Sequence, residues 1–304
     1  MSARSPTEPE TFINPSSGHY GRATPSGTEL MRERLTGLLL ALPAIATIAL
    51  LYLMPLIASM TGAFETDAGY GLGNFVKSYE LYTTDILYTL MIVSLSTLII
   101  AGLSIAIAGY LTLGENPRAV AILRWLYRWP LFIPFIVVGQ VLRTFLAKNG
   151  LMNNLLVAGG ILTPLQTMSF LDWRGIVIAF VWKQTPFVTL LVARAMASID
   201  RGTIEAARNL GASRLRILLE IVVPQVRTTV FVGMVLSFVT MMSVLSVPLM
   251  ISAQSPTMIT ADIAFRINAY GDYGVANALG MISLVMTMAV AVFYLRLNLK
   301  EKAK

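Results

Sequence analysis

Between Leu35 and Met60 the chain carries no charged residue, and five more apolar runs follow it. About 20 consecutive apolar residues wound as a helix cross the hydrocarbon of a bilayer, and lipid tolerates only structures that satisfy their own backbone groups. The runs therefore predict an all-α integral membrane protein with six transmembrane helices, over about 35–60, 86–113, 126–147, 175–197, 228–252 and 278–297. With 56% hydrophobic and only 13% charged residues, too little polar surface remains to clothe a soluble domain. There is no cysteine, which removes disulfides, thiolate metal sites and cysteine nucleophiles. The single histidine, His19, lies in a polar tail, so neither a histidine metal site nor histidine acid–base chemistry is expected.

Residues 1–30 are rich in Ser, Thr, Pro, Gly and Glu, and such a composition reads as a disordered cytoplasmic tail. The apolar run behind it is too long for a secretory signal and lacks a small-residue cleavage pattern. Residues 31–304 then form one membrane domain, with a polar loop over 198–227. The net charge of +7 calls for no nucleic acid, because Lys and Arg gather in cytoplasmic loops of membrane proteins. Arg32 and Arg34 precede the first span. Arg118, Arg124 and Arg128 follow the second, and Arg201, Arg208, Arg214, Arg216 and Arg227 follow the fourth. Lys300, Lys302 and Lys304 end the chain, whereas the segment after the first span holds Glu65, Asp67, Glu80 and Asp85 against Lys77. This bias puts both termini inside. No internal repeat, no pair of broken helices and no G-x-x-x-x-G-K-S/T loop is present, so nucleotide energy would come from another chain.

The loop between the fourth and fifth spans reads SIDRGTIEAARNLGASRLRILLEIVVPQVRTT. Asp200 or Thr203 can cap a helix starting near Ile204, with Glu205 in its first turn and Ile204, Ala207 and Leu210 on one face. Gly211 suits a left-handed C-terminal turn. A second helix from Ala212 to Val223 leads to Pro224, where the fifth span is expected to begin. By itself this is also what an amphipathic helix on anionic lipid looks like.

The spacing Glu205-Ala206-Ala207, three residues, Gly211, nine residues, then Ile221 to Pro224 resembles the cytoplasmic motif of binding-protein-dependent ABC importer permeases, with Val223 in place of the usual Leu. Asn149-Gly150-Leu151-Met152-Asn153, Trp182 with Pro186, and Tyr270-Gly271-Asp272-Tyr273-Gly274 are similar to segments elsewhere in that family. The resemblance implies a type I importer permease of the bacterial cytoplasmic membrane. Its coupling helix would seat on an ATPase subunit, with Glu205, Ala206, Ala207, Gly211, Ile221 and Pro224 carrying the coupling. It implies no cofactor on this chain, ATP and Mg on two partner ATPase subunits, a second permease subunit and an extracytoplasmic solute-binding protein. A secondary transporter or channel is the alternative, but its coupling-ion carboxylates are not visible in the spans.

For the solute path, Arg143 and Lys183 are the basic residues inside spans, with Gln140, Gln184 and Thr185 beside them. Long side chains near span ends also snorkel to the interface. Ser237, Thr240, Ser243 and Ser246 recur every three residues and predict one polar stripe on span five, for a cavity or for helix packing. Asn209-Leu210-Gly211-Ala212 resembles the polyamine, iron and phosphonate permeases more than the sugar permeases. The absence of an acid deep in a span runs against a polyamine, so these two features point different ways, and a small polar or anionic organic solute is the expectation.

Overall fold

The computed structural model describes residues 27–66, 69–252 and 254–302. Most of the segment expected to be a disordered tail, residues 1–26, lies outside these. Its last residues are helical, because the run from Gly27 to Leu35 is built of good helix formers that extend the helix ahead of the apolar stretch. The chain divides into two units, residues 1–57 and 58–304. Taken by itself, the first holds the helix Gly27–Ile48 and a π turn at Ala49–Leu53, and the candidate span α1 (Leu39–Phe64) begins within that helix and includes the turn.

In the second unit a short hairpin, β1 (Glu65–Thr66) with β2 (Gly69–Tyr70), precedes the span helix α2 (Gly73–Leu113). Next come α3 (Pro117–Leu126), α4 (Phe135–Leu146), α5 (Leu151–Ala158) and the span helix α6 (Trp173–Ala197). Helix α7 (Arg201–Asn209) links it to the span α8 (Arg214–Met242). Helices α9 (Ser246–Ile251) and α10 (Ile259–Phe265) then lead to α11 (Tyr273–Lys302). Among the described residues five helices are long and apolar enough to cross a membrane, and counting one bent pair as a single span gives six.

That bent pair is the expected third span, and it is not one straight helix. Pro117–Phe132 and Phe135–Ala158 meet at 105°. The cause is Pro134: it lacks an N–H, and the residue before a proline is driven out of the helical region. Ile133 accordingly sits at ψ 122° and Pro134 at ψ 148°. A break within a membrane needs donors for the carbonyls it frees. Lys183 supplies them from α6, donating through Nζ to the carbonyls of Pro130 and Leu131, both at 2.9 Å.

The core lies where α2 packs on α6 and both meet α8, around Ile92, Ile100, Ile176, Phe180, Val188 and Met241. Lipid gives helices no hydrophobic reason to associate, so close packing carries the contact. Gly233 shows how: a Cβ there would lie 2.9 Å from Val188 Cγ1. Gly139 plays the same part for α9 on α4, where a Cβ would meet Met250 Cβ at 3.0 Å.

Helix α2 starts at Gly73 rather than near residue 86, which draws Lys77, Glu80 and Asp85 onto a helix instead of a loop. At 1.5 Å per residue its 41 residues run about 60 Å, twice a bilayer's hydrocarbon. Asp85 is buried, 3% exposed, and accepts from the Thr257 amide at 2.7 Å and the Ser255 hydroxyl at 3.3 Å. A carboxylate is thus buried on a span helix, contrary to expectation, because it serves the backbone of the segment entering α10. That segment continues through Arg266, which lies over the rings of Tyr82 and Tyr270 and pairs with Asp272 at 3.5 Å. Lys77 reaches the same carboxylate at 3.0 Å.

Candidate functional site

Helix α7 is fixed at both ends by its own sequence. Asp200 is the N-cap, accepting from the Thr203 amide at 3.1 Å and its hydroxyl at 3.3 Å, so the helix opens three residues before the expected Ile204. At the other end Gly211 adopts φ +82°. The Gly211 amide bonds the Arg208 carbonyl at 2.9 Å and the Ala212 amide bonds the Ala207 carbonyl at 3.0 Å, a complete Schellman closure. Ile204 is buried and Ala207 half-buried. Leu210, expected on their face, is 89% exposed, because the helix ends at Asn209 and the turn rotates it outward.

The second helix is not separate from the fifth span. Ser213 caps it through the Arg216 amide, and Arg214–Met242 runs on as one rod with a π turn over Ile217–Val222. The wide turn absorbs Pro224, since the Val223 amide already bonds the Leu218 carbonyl and the proline's missing N–H leaves no gap. Beside this corner Ala207, Leu210, Gly211, Ala212, Arg216, Ile217, Glu220 and Ile221 line a hollow of about 260 Å³. Leu215 and Leu219 are exposed nearby in the sequence. Glu205, Ala206 and Pro224 are exposed, and Ile221 is half-buried. Glu205 has no hydrogen-bond or ion-pair partner among the described residues.

Contacts that the sequence gives no sign of hold α7 and the start of α8 to the protein. The Arg208 guanidinium donates to the Leu113 carbonyl at the end of α2, at 3.2 Å, and Arg214 pairs with Glu115. A sequence motif records residue types along one segment, whereas these partners sit about a hundred positions away.

The solute-path candidates do not form one group. Gln140 and Arg143 are exposed on one face of α4, whose other face buries Val138, Gly139, Leu142 and Leu146. Lys183 is turned into the break of the third span and lies 5.5 Å from the Phe135 ring centre. Gln184 is buried, and its Nε2 has no partner among the described residues. The expected stripe on span five is interrupted: the helix stops at Met242, leaving Ser237 buried, Thr240 and Ser243 exposed, and Ser246 at the head of α9. No group of three or more metal-ligating side chains occurs among the described residues.

Residues 33–300 match the family described as the binding-protein-dependent transport system inner membrane component. The trehalose/maltose transport system permease protein MalF of Thermococcus litoralis is 26% identical over 88% of this chain and 95% of its own. The sulfoquinovosyl glycerol transport system permease protein SmoG of Agrobacterium fabrum is 23% identical over 87% and 91%. Among solved structures, a chain of a bacterial alginate ABC transporter in complex with its alginate-bound periplasmic protein superposes with a TM-score of 0.74 at 23% identity, covering 88% of this chain and 94% of that one. The fold is thus that of a known transporter frame, and the secondary-transporter alternative is set aside. The chain belongs to the permease family of binding-protein-dependent ABC importers.

Proposed function

We propose that α7 is the element that passes movement between this permease and a partner ATPase, on the cytoplasmic side, with both chain termini there. The observation that carries this is the double closure of α7, by Asp200 at one end and the left-handed Gly211 at the other. A short helix fixed at both ends transmits displacement as a rigid body. The hollow at Ala207, Gly211 and Ile221, with exposed Leu210, Leu215 and Leu219, is the surface offered for docking. Ala206 and Ala207 let a partner backbone approach closely, and the unpaired Glu205 sets register. ATP and Mg belong to the two ATPase subunits. A second permease subunit completes the path, and an extracytoplasmic binding protein delivers the solute.

The solute we propose is a saccharide or glycoside, including one bearing an acidic group. The relatives named for trehalose/maltose and for a sulfonated glycoside support this, since each aligns with nearly the whole chain. Gln140 and Arg143, on the exposed face of α4, are the residues proposed to meet it. Uptake by the complex in proteoliposomes, driven by ATP and fed by binding protein loaded from a panel of neutral sugars, sulfonated glycosides, polyamines and amino acids, tests the class. Transport confined to amino acids or polyamines would overturn it.

A further inference from the structure

Beside the face of α7 that carries Arg201, Ile204, Glu205 and Arg208 lies a second cavity, of about 560 Å³. It is walled by the end of α2, by α3, by the end of α6 and by α7, and its charge is one-sided. Arg124, Arg128, Arg194, Arg201 and Arg208 line it, against Glu115 and Glu205, a formal excess of +3 (five less two). Even that count overstates the acids, because Glu115 is engaged by Arg214, which does not line the cavity. Arg208 spends one N–H on the Leu113 carbonyl, and Arg128 gives Nε to the Tyr127 hydroxyl at 3.3 Å. Arg124, Arg194 and Arg201 have no hydrogen-bond or ion-pair partner among the described residues.

Five guanidinium groups line one cavity with a single unpaired carboxylate, Glu205, and the remaining positive charge attracts an anion. Their flat forks match the oxygens of a phosphate better than any neutral ligand, and two can share one group. A second feature lies beside these arginines. Trp125 and Trp129, flanking Arg124 and Arg128, are 61% and 52% exposed, with ring centres 4.3 Å apart. Tryptophan is enriched at the headgroup layer of membrane proteins, and these two rings flank the arginines that line the cavity, a setting that suits lipid phosphates.

We propose that the cavity is a binding site for a phosphate-bearing anion, the headgroup of an anionic phospholipid or a soluble phosphate, which fastens α7 to α3 and α6. Bound there, the anion bridges Arg201 and Arg208 of α7 to Arg124 and Arg194 on its neighbours. It thereby restrains α7. The site stands on cavity and charge, whichever way α7 is used in coupling.

The test uses the full complex in nanodiscs of phosphatidylcholine, with or without phosphatidylglycerol, and counts retained phosphatidylglycerol by native mass spectrometry. Pyrophosphate is titrated calorimetrically into the phosphatidylcholine discs. The variants are the pairs Arg124→Gln with Arg194→Gln, and Arg124→Lys with Arg194→Lys, each checked for an unchanged melting temperature. Neutralisation should weaken binding about fivefold per arginine, roughly 25-fold for the pair, and the lysine pair should restore most of it. Retained phosphatidylglycerol lost in the glutamine pair identifies a lipid headgroup, whereas pyrophosphate binding lost there identifies a soluble phosphate. Binding of neither by wild type, or equal binding by wild type and the glutamine pair, overturns the proposal. Neither readout involves ATP turnover, so failed coupling through α7 and an empty cavity give different results.

Discussion

Replacing Lys183 by methionine separates two roles that look alike in the sequence. The side chain sits on a span helix among polar neighbours, as a solute ligand would, yet its ammonium is bonded to the carbonyls of Pro130 and Leu131 at the broken third crossing. Methionine keeps the length and removes both bonds. Interhelical hydrogen bonds in membrane proteins average about 0.6 kcal/mol each, with a maximum near 1.7. A charged donor roughly doubles a neutral bond, and the Leu131 carbonyl would lose its partner at about 1–3 kcal/mol, while the Pro130 carbonyl keeps the Ile133 amide at 3.3 Å. Relief from half-burying an ammonium offsets part of this, so the net loss is about 2 kcal/mol. At about 2–4 °C per kcal/mol for chains of this size, the apparent melting temperature should fall by roughly 4–8 °C. Lys183→Arg keeps the charge but not the compact tripod and should fall between. Thermal unfolding in nanodiscs gives the shift, and uptake gives KM, which should stay at the wild-type value. A melting temperature unchanged in Lys183→Met together with a strongly raised KM would refute the brace and return Lys183 to the solute path.

Other perturbations follow from the same contacts. Burial, reinforced by the nearby Asp85 and opposed by Arg266, pushes the Asp262 carboxyl up to about 7, and its Oδ2 has no partner among the described residues. A folded-state value above the unfolded one means that the folded chain holds the proton more tightly. This residue's contribution therefore falls as pH rises from about 4 to about 7, and Asp262→Asn should flatten the stability profile in that window. Gly175→Ala should be far worse than Gly280→Ala: the new Cβ would lie 2.3 Å from the Phe170 carbonyl oxygen in one case and meet nothing within 4 Å in the other. Overpacking of that kind costs about 1–3 kcal/mol or more, read as lost yield of folded protein. Asp200→Ala removes the α7 cap at about 1 kcal/mol and should raise amide exchange across Thr203 to Arg208.

Much of this was legible in the chain. Apolar run length pointed to the five long span helices and to the bent pair, and the Asp200 to Gly211 segment announced its own caps, because capping depends on residues close in sequence. The family-like stretches also have local physical reasons. Gly150 is ringed by the carbonyls of Thr144, Phe145 and Ala147, and Asn153 ties the Ala147 and Met168 carbonyls together at 3.0 and 2.8 Å. Gly271 takes φ +61°, and Asp272 caps α11 through the Val275 amide at 3.1 Å. What stayed hidden depends on distant partners. Pro134 was readable as a breaker, but not that Lys183 makes the break tolerable. Asp85 looked like a loop acid because its partners, Ser255 and Thr257, lie 170 and 172 positions further on. The three-residue recurrence from Ser237 to Ser246 failed because a stripe needs a helix that continues, and α8 stops at Met242. The Asn209-Leu210-Gly211-Ala212 wording pointed away from the sugar permeases, whereas the relatives named above are permeases for trehalose/maltose and sulfoquinovosyl glycerol.

The account turns on α7 as the link between ATP hydrolysis and transport. The most direct test is ATP hydrolysis by the assembled complex in nanodiscs, with and without loaded binding protein, for wild type, Glu205→Ala and Gly211→Asp. The φ of +82° at Gly211 costs a non-glycine residue about 1–2 kcal/mol at the closure of α7, with open space around the side chain, so the variant complex should still assemble. Stimulation by loaded binding protein should then be lost in both variants while the permease stays folded. Full stimulation and uptake in both would contradict the claim that α7 couples the two subunits.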